Sequence, residues 1–165
     1  MSFINLIDSD WYKHLDYEEV SVNAGADSSE YISRYVDAGH HPKTLTLDRC
    51  HLDPGLPELV PVIEYFKLLK NVSFCAHRLR PGHYVPTHSD EYAYYTKKFN
   101  VDSNNVHRFI VFLEDHQDGH ILFINKFTQN SYRAGNVAGW TGRTPHAALN
   151  FGLTDRYTLQ VTGTK

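Results

Sequence analysis

Two short strand-like segments with a turn between them occupy residues 147–162, Ala-Ala-Leu-Asn-Phe-Gly-Leu-Thr-Asp-Arg-Tyr-Thr-Leu-Gln-Val-Thr. We predict one strand from Ala147 to Phe151 and another from Arg156 to Thr162. Similar segments recur upstream, at intervals of about 8–12 residues. They cover residues 72–80, 106–114, 120–127, 131–133 and 137–140. Many short strands separated by turns indicate a mainly β protein, either a barrel or a sandwich.

The stretch before these strands contains the clearest helical pattern of the chain. From about residue 58 to residue 70, apolar side chains recur on one face at helical spacing. They are Leu59, Val62, Ile63, Phe66 and Leu69. Pro61 falls in the first turn, where its missing N–H costs little, and Asn71 marks the end. We therefore predict a helix over residues 58–70 whose apolar face packs on the outside of the sheet.

The length of 165 residues suits a single domain over residues 1–165. Within it, we expect residues 1–71 to form a supporting segment and residues 72–163 to form the β core. The N-terminus lacks the basic and apolar regions of a secretory signal, which predicts a cytoplasmic protein. In that compartment Cys50 and Cys75 are expected to be free thiols.

The composition excludes several classes of protein. Apolar residues make up 41% of the chain, too many for a disordered one, yet no apolar run approaches the roughly 18 residues of a membrane span. The net charge of −3 and the scattered basic residues disfavour nucleic acid as a partner, because phosphate binding needs a strong positive field. The 11 histidines are unusual and direct attention to a metal site.

Three residues form a candidate metal site. His88 and Asp90 are two residues apart, so on a strand both side chains would point to the same face. His146 lies much later in the chain, directly before a predicted strand. Two neutral imidazoles and one carboxylate on one side of an octahedral ion make the facial triad of non-haem Fe(II) oxygenases. Three positions then stay open for a chelating co-substrate and for dioxygen.

An arginine ten residues after His146 completes this pattern. Arg156 lies on the last predicted strand, and a strand–turn–strand connection would bring its guanidinium close to the metal. A buried arginine favours a bidentate carboxylate partner, such as the far carboxylate of a 2-oxo diacid. Thr158 shares the strand face of Arg156 and could add a hydroxyl, and Arg108 could meet the co-substrate or a substrate carboxylate.

Other residues allow two interpretations. The Tyr- and Asn-rich segment 91–105 could form a lid over the substrate or pack on the rim of the barrel. Trp140 could line the pocket or belong to the core. His116 and His120 have a spacing that suits a second metal, but they flank a predicted hairpin turn, and we expect both to face water.

From about residue 72 to residue 163, the sequence resembles the Fe(II)- and 2-oxoglutarate-dependent dioxygenases. The resemblance rests on residues 78–90, Arg-Leu-Arg-Pro-Gly-His-Tyr-Val-Pro-Thr-His-Ser-Asp, and on residues 146–150, His-Ala-Ala-Leu-Asn, followed by Asp155-Arg156. These motifs are similar to the aspartyl/asparaginyl β-hydroxylase branch. The segments after Gly119 and from Ala134 to Val137 are similar to prolyl-hydroxylase-like members.

The resemblance implies a double-stranded β-helix, the jelly-roll or cupin-like fold, with a flanking N-terminal helix or helices. It implies His88, Asp90 and His146 as ligands of Fe(II) and Arg156 as the anchor of 2-oxoglutarate, with dioxygen as the oxidant. The expected reaction hydroxylates a substrate while 2-oxoglutarate is converted to succinate and carbon dioxide.

Three functions follow from these observations. The first is hydroxylation of a Pro, Asn or Asp side chain in a peptide or protein. The second is an oxygenase reaction on a small metabolite or a nucleobase. The third is a non-catalytic β-barrel binding module. The triad together with Arg156 favours the two oxygenases, because a binding module has no need of three open positions on a metal.

Overall fold

The computed structural model describes residues 10–21 and 28–165, which contain ten strands and three short α-helices. The strands are β1 Glu18–Ser21, β2 Thr46–Leu52, β3 Lys70–Leu79, β4 Tyr84–His88, β5 Val106–Phe112, β6 His120–Ile124, β7 Phe127–Gln129, β8 Val137–Thr141, β9 His146–Asn150 and β10 Arg156–Thr164. The α-helices are α1 Ser28–Asp37, α2 Val60–Tyr65 and α3 Ala93–Phe99. Single 3-10 turns cover Trp11–His14, Pro42–Thr44, Pro57–Leu59 and Ser103–Asn105.

The strands form two antiparallel sheets that enclose an interior. The larger sheet has the order β1-β2-β3-β10-β5-β8, and the smaller one has the order β4-β9-β6-β7. From β3 to β10 the chain passes repeatedly from one sheet to the other. An apolar cluster between the sheets joins Ile110 and Phe112 of β5 to Leu122 of β6 and Trp140 of β8. This is a double-stranded β-helix, so the predicted fold class is confirmed.

Strand β10 lies in the middle of the larger sheet, between β3 and β5, and is buried on both faces. Leu159 and Val161 belong to the apolar cluster on the outer face. The alternate residues Arg156, Thr158 and Thr162 are also buried, on the opposite face that turns toward the second sheet. The interior of this barrel is therefore polar along its central strand, which is unusual for a core and marks a site.

The helix that we predicted over residues 58–70 is much shorter. A 3-10 turn leads into α2, which ends at Tyr65, and β3 already begins at Lys70. The backbone turns after α2, where the N–H of Leu69 donates to the carbonyl of Phe66. Leu59, Val62 and Phe66 nevertheless pack on the outer face of the larger sheet, as the apolar spacing predicted.

The larger sheet also starts earlier in the chain than residue 72, where we placed the start of the β core. Strand β2 pairs with β3 along Asp48 to Leu52, and β1 pairs with β2. The predicted strand over residues 120–127 is two strands, β6 and β7, separated by a turn at Asn125, whose φ is 55°. No strand occurs at 131–133, where Tyr132 stacks on Phe112 with ring centroids 3.7 Å apart.

Both cysteines are free, as predicted, with Cys75 buried and Cys50 partly buried. Within the described residues, none of the helices has both the length and the apolar character that a bilayer crossing requires.

Candidate metal centre

The candidate metal ligands meet at one end of the smaller sheet. His88 is the last residue of β4 and His146 is the first residue of β9, and the register of these neighbouring antiparallel strands places the two residues opposite each other. We predicted that Asp90 lies on the same strand as His88. This is wrong, because β4 ends at His88. The chain instead leaves the sheet there and brings the Asp90 carboxylate to the two imidazoles.

One donor atom from each of the three residues lies within 4.8 Å of the other two, so His88, Asp90 and His146 could hold a metal ion. The Nε2 atom of His88 is 3.7 Å from Oδ1 of Asp90, and Nε2 of His146 is 3.4 Å from Oδ2. The two imidazole rings have centroids 4.2 Å apart. The donor set is that of a facial triad.

Backbone carbonyls fix the orientation of both imidazoles. Nδ1 of His88 lies 2.9 Å from the carbonyl oxygen of Pro86, and Nδ1 of His146 lies 2.9 Å from that of Thr144. Because a carbonyl oxygen only accepts, Nδ1 carries the proton in each ring and Nε2 presents its lone pair to the site. This support is typical of histidines that bind metals.

The charges in the site favour the ionic forms that metal ligands need. Burial alone would raise the pKa of Asp90, but the neighbouring His88 and the positive charge of Arg108 hold that pKa below its ordinary value. Burial lowers the pKa of His146 to about 4, although the charge of Asp90 acts in the opposite direction. The site therefore presents a carboxylate and a neutral imidazole at neutral pH.

Arg108 lies beside the triad and pairs with one of its members. Its Nη1 donates to Oδ2 of Asp90 at 2.7 Å, and its guanidinium lies over the ring of Tyr92, 4.9 Å from the centroid. The sequence also allowed a carboxylate of the co-substrate or substrate as its partner, and this stays a prediction; the partner that the structure shows is Asp90. Its Nε is buried without a hydrogen-bond partner among the described residues.

Trp140 satisfies both interpretations that the sequence allowed. It belongs to the apolar cluster between the sheets, and its ring lies 4.4 Å from that of His146, centroid to centroid. It therefore forms the apolar wall of the site on the side of β8.

The Arg156 guanidinium is buried inside the barrel. The residue is only 4% exposed, and its Nε and Nη2 have no hydrogen-bond partner in the part of the chain that the structure describes. Phe112 lies under the guanidinium, 5.9 Å from its Cζ atom, and Tyr132 faces it. Thr158 is also buried and lies on the same strand face. A buried cation with free donors is costly, so this arrangement fits an anionic ligand.

The segment from 91 to 105 contains α3 and a 3-10 turn rather than an extended loop. Tyr92 is buried under Arg108, and Tyr95 donates its hydroxyl hydrogen to the carbonyl of Asn71 at 2.7 Å. Tyr94, by contrast, is 78% exposed. Of these three tyrosines, Tyr92 and Tyr95 thus pack against the barrel, and Tyr94 projects into solvent.

His120, which we expected to face water, is 1% exposed, so that prediction is wrong. It is the first residue of β6, and strand alternation points it between the sheets, where its Nε2 donates to the carbonyl of Thr154 at 3.1 Å. His116 is partly buried, and its Nε2 lies 3.0 Å from the carbonyl oxygen of His120. Both histidines therefore stabilise the turn through backbone carbonyls rather than converging on a common ion.

Sequence reasoning missed the polar residues that β2 and β3 contribute to the interior, among them Arg49 and His77. In β2 and β3, polar and apolar residues do not alternate regularly along the chain. The period-2 pattern of the sequence therefore did not show that Arg49 and His77 point inward. Burial lowers the pKa of His77 to about 3, with further lowering by the positive charges of Arg108 and Arg156. His77 thus lies within electrostatic reach of both arginines of the site.

Comparisons with known proteins identify the fold. Neither the models of protein families nor the curated proteins give a match. Among solved structures, a prolyl-4-hydroxylase from Pseudomonas putida is similar with a TM-score of 0.55 and 14% identity, over 90% of this chain and 92% of that chain. A predicted oxalate decarboxylase from Thermotoga maritima is similar with a TM-score of 0.52 and 16% identity, over 93% and 96%. At such identities the likeness shows a cupin-like fold, and function has to be argued from the site.

Proposed function

We propose that this protein is an Fe(II)- and 2-oxoglutarate-dependent dioxygenase that hydroxylates a Pro, Asn or Asp side chain in a peptide or protein. The observation that carries this proposal is the combination of a facial triad with a buried arginine that has unpaired donors inside the same barrel. A triad without the arginine would equally suit a metal enzyme that uses no diacid. Together the two features match the two charged ends of a 2-oxo diacid, one of which chelates a metal.

The residues of the site fit both an iron ion and 2-oxoglutarate. His88, Asp90 and His146 would hold the iron through two Nε2 atoms and one carboxylate, a set that leaves coordination positions open. Arg156 would bind the far carboxylate of 2-oxoglutarate through its free Nε and Nη2, with Thr158 beside it on the same strand. When bound, iron and 2-oxoglutarate would supply the oxidising chemistry that consumes dioxygen and releases succinate and carbon dioxide.

The remaining side chains position and shield these groups. Arg108 holds one oxygen of Asp90, which limits the rotation of the carboxylate. Phe112 and Tyr132 cover the Arg156 guanidinium and exclude water from it, which strengthens its interaction with a carboxylate. Trp140 forms an apolar wall next to His146. The chain thereby supplies geometry and charge, and the redox chemistry belongs to the cofactors.

The first test is a spectroscopic titration without oxygen. Metal-free protein receives Fe(II) and then 2-oxoglutarate, and the weak visible charge-transfer band of the chelate is followed. We expect the band in the wild type and its loss in His146→Ala. In Arg156→Met, we expect the affinity for 2-oxoglutarate to fall by roughly tenfold to a hundredfold, since hydrogen bonds to a charged group contribute about 1.5–3 kcal/mol.

Arg133→Met is the matched control, because this arginine is exposed at the surface and pairs with Asp115. It should keep the band and the affinity of the wild type. The absence of a band, with no calorimetric binding of 2-oxoglutarate, would refute the proposal and favour a binding module. If the band appears, peptide-dependent release of succinate then separates a peptide or protein substrate from a metabolite or nucleobase.

A further inference from the structure

A second group of polar side chains faces the barrel interior from β2 and β3. In β2, Cys50 packs against the apolar cluster on the outer face of the larger sheet, so its partly buried neighbour Arg49 points to the other face. In β3, Ala76 belongs to the same outer cluster, which turns His77 inward. The strand register places Arg49 directly opposite His77.

This group lies in line with the residues around Arg156. His77 is opposite Thr158 of β10, and Thr158 is two residues from Arg156 on the same face. Arg49 therefore stands two strands away from Thr158, about 10 Å across the sheet at the usual strand spacing. The positive charges of Arg49, Arg108 and Arg156 all act on His77, which agrees with their convergence on the interior.

Arg49 has no counter-charge. Its Nε is buried without a hydrogen-bond partner, and no ion pair of Arg49 occurs among the described residues. Glu18 lies opposite it on β1 but makes no ion pair with it. By contrast, Arg78 and Arg80, on the outer face and beyond the end of β3, both pair with Asp48.

The charges of the barrel interior remain unbalanced even when the co-substrate is assigned. Asp90 forms an ion pair with Arg108, and we have proposed that Arg156 binds the far carboxylate of 2-oxoglutarate. Arg49 is then the guanidinium that still lacks an anion. Neutral His77 beside it can donate or accept a hydrogen bond without adding charge. A guanidinium with free donors is suited to a carboxylate.

We propose that Arg49, with His77 next to it, binds a carboxylate of the substrate, so that this protein acts on a substrate with an acidic group near the carbon that is oxidised. The inference rests on the proposed function, because it assigns the metal and Arg156 to iron and 2-oxoglutarate. It adds the chemical class of the substrate, which the triad does not specify.

The test compares two probes that differ in charge and hardly in size, N-acetyl-L-aspartate amide and N-acetyl-L-asparagine amide. Each is titrated into protein loaded with Zn(II), which is redox-inert, and 2-oxoglutarate. Binding is followed by NMR on the backbone amides of His77 and Cys75. We expect the acidic probe to bind at least tenfold more tightly, and Arg49→Gln to abolish that preference. Arg49→Lys, which keeps the charge, should retain part of it.

Arg133→Gln is the matched control, an exposed arginine that already pairs with Asp115, and should retain the full preference. Thermal melts establish that each variant is folded. Equal affinities for the two probes, no binding of either at millimolar concentrations, or a preference that survives in Arg49→Gln would overturn the inference.

Binding of 2-oxoglutarate is measured first in each variant, which separates the two proposals. Arg49→Gln should bind 2-oxoglutarate like the wild type, and an Arg49 site that fails then leaves the oxygenase proposal intact. If the wild type does not bind 2-oxoglutarate, the oxygenase proposal fails. The two probes are then compared in Arg156→Met with and without Arg49→Gln. If Arg156→Met prefers the acidic probe and the double variant does not, Arg49 forms an acid-binding site. If Arg156→Met shows no preference, the site is refuted.

Discussion

His77 is a neutral residue in a positively charged interior, and this has a cost at low pH. Burial is the main cause that lowers its pKa from 6.5 to about 3. The folded protein therefore keeps His77 neutral down to about pH 3, whereas the unfolded chain takes up the proton near pH 6.5. Between these values the unfolded state binds more protons, so stability must fall as the pH falls.

We expect His77→Asn to flatten this dependence in metal-free protein. Between pH 7.5 and pH 5, the wild type should lose up to about 2 kcal/mol more free energy of unfolding than the variant. Urea denaturation at both pH values measures the difference. His14→Asn, at an exposed histidine, should follow the wild type. Parallel pH curves for wild type and His77→Asn would contradict the burial of a neutral imidazole.

Sequence reasoning found the residues whose chemistry is encoded in spacing and missed those whose role depends on packing. The structure brings His88, Asp90 and His146 together, although Asp90 reaches the site from beyond the end of β4. Arg49 and His77 remained unnoticed because a single arginine or histidine carries no signal until strand register shows which side chains share a face. Pairing between distant strands cannot be read from one sequence.

At the scale of elements, α2 shows why apolar periodicity overestimates a helix. The spacing of Leu59, Val62, Phe66 and Leu69 is helical throughout, but the chain leaves the helix after Tyr65. Asn71 then adopts a left-handed conformation with φ of 54° inside β3. Leu69 packs against the same outer cluster from the turn after α2. Residues with helical spacing in the sequence thus reach one cluster from both a helix and a turn. Local patterning predicted most of the buried face, although Ile63 is 37% exposed, and it predicted the length of the helix incorrectly.

The packing of α2 on the larger sheet can be measured with two identical substitutions. Val62 is fully buried and Val60 is 61% exposed, and both lie in the same short helix. We expect Val62→Ala to lower the free energy of unfolding by about 2 kcal/mol, through lost burial and the cavity that remains. Val60→Ala should change it by less than about 0.5 kcal/mol, since alanine also has the better helix propensity. Denaturant unfolding compares them, and equal effects would show that α2 does not pack as described.

At the scale of the whole molecule, β10 and Asn150 link the residues around the candidate site to the apolar cluster on the outer face of the larger sheet. β10 presents apolar side chains to α2 and polar ones to the site. Asn150, at the end of β9, is completely buried and donates from Nδ2 to the carbonyls of Leu79 and Thr154, which links the smaller sheet to β3. The outer face and the smaller apolar cluster between the sheets therefore provide the hydrophobic stability, and the inner face of β10 can carry a charge that contributes none.

This division predicts that the buried arginine of the site destabilises the protein when no ligand is bound. The guanidinium of Arg156 leaves Nε and Nη2 without partners, and burial lowers its pKa. An apolar side chain of similar length removes that desolvation cost. We expect metal-free Arg156→Met to be more stable than the wild type by about 1–3 kcal/mol, measured by denaturant unfolding.

Ligand binding should act against this difference and shift the balance toward the wild type by about 1–2 kcal/mol. With Zn(II) present and 2-oxoglutarate at roughly a hundred times its Kd, the wild type should gain about 2.7 kcal/mol from the diacid, because only the folded state binds it. Arg156→Met, whose affinity for the diacid is tenfold to a hundredfold lower, should gain only about 0.4–1.4 kcal/mol from it. Arg133→Met should behave like the wild type in both states. If metal-free Arg156→Met were instead less stable by several kcal/mol, the contacts of Arg156 with Phe112 and Tyr132 would have a structural purpose. The Arg156 guanidinium would then stabilise the core of the protein, and it would not be a binding site for the carboxylate of a ligand.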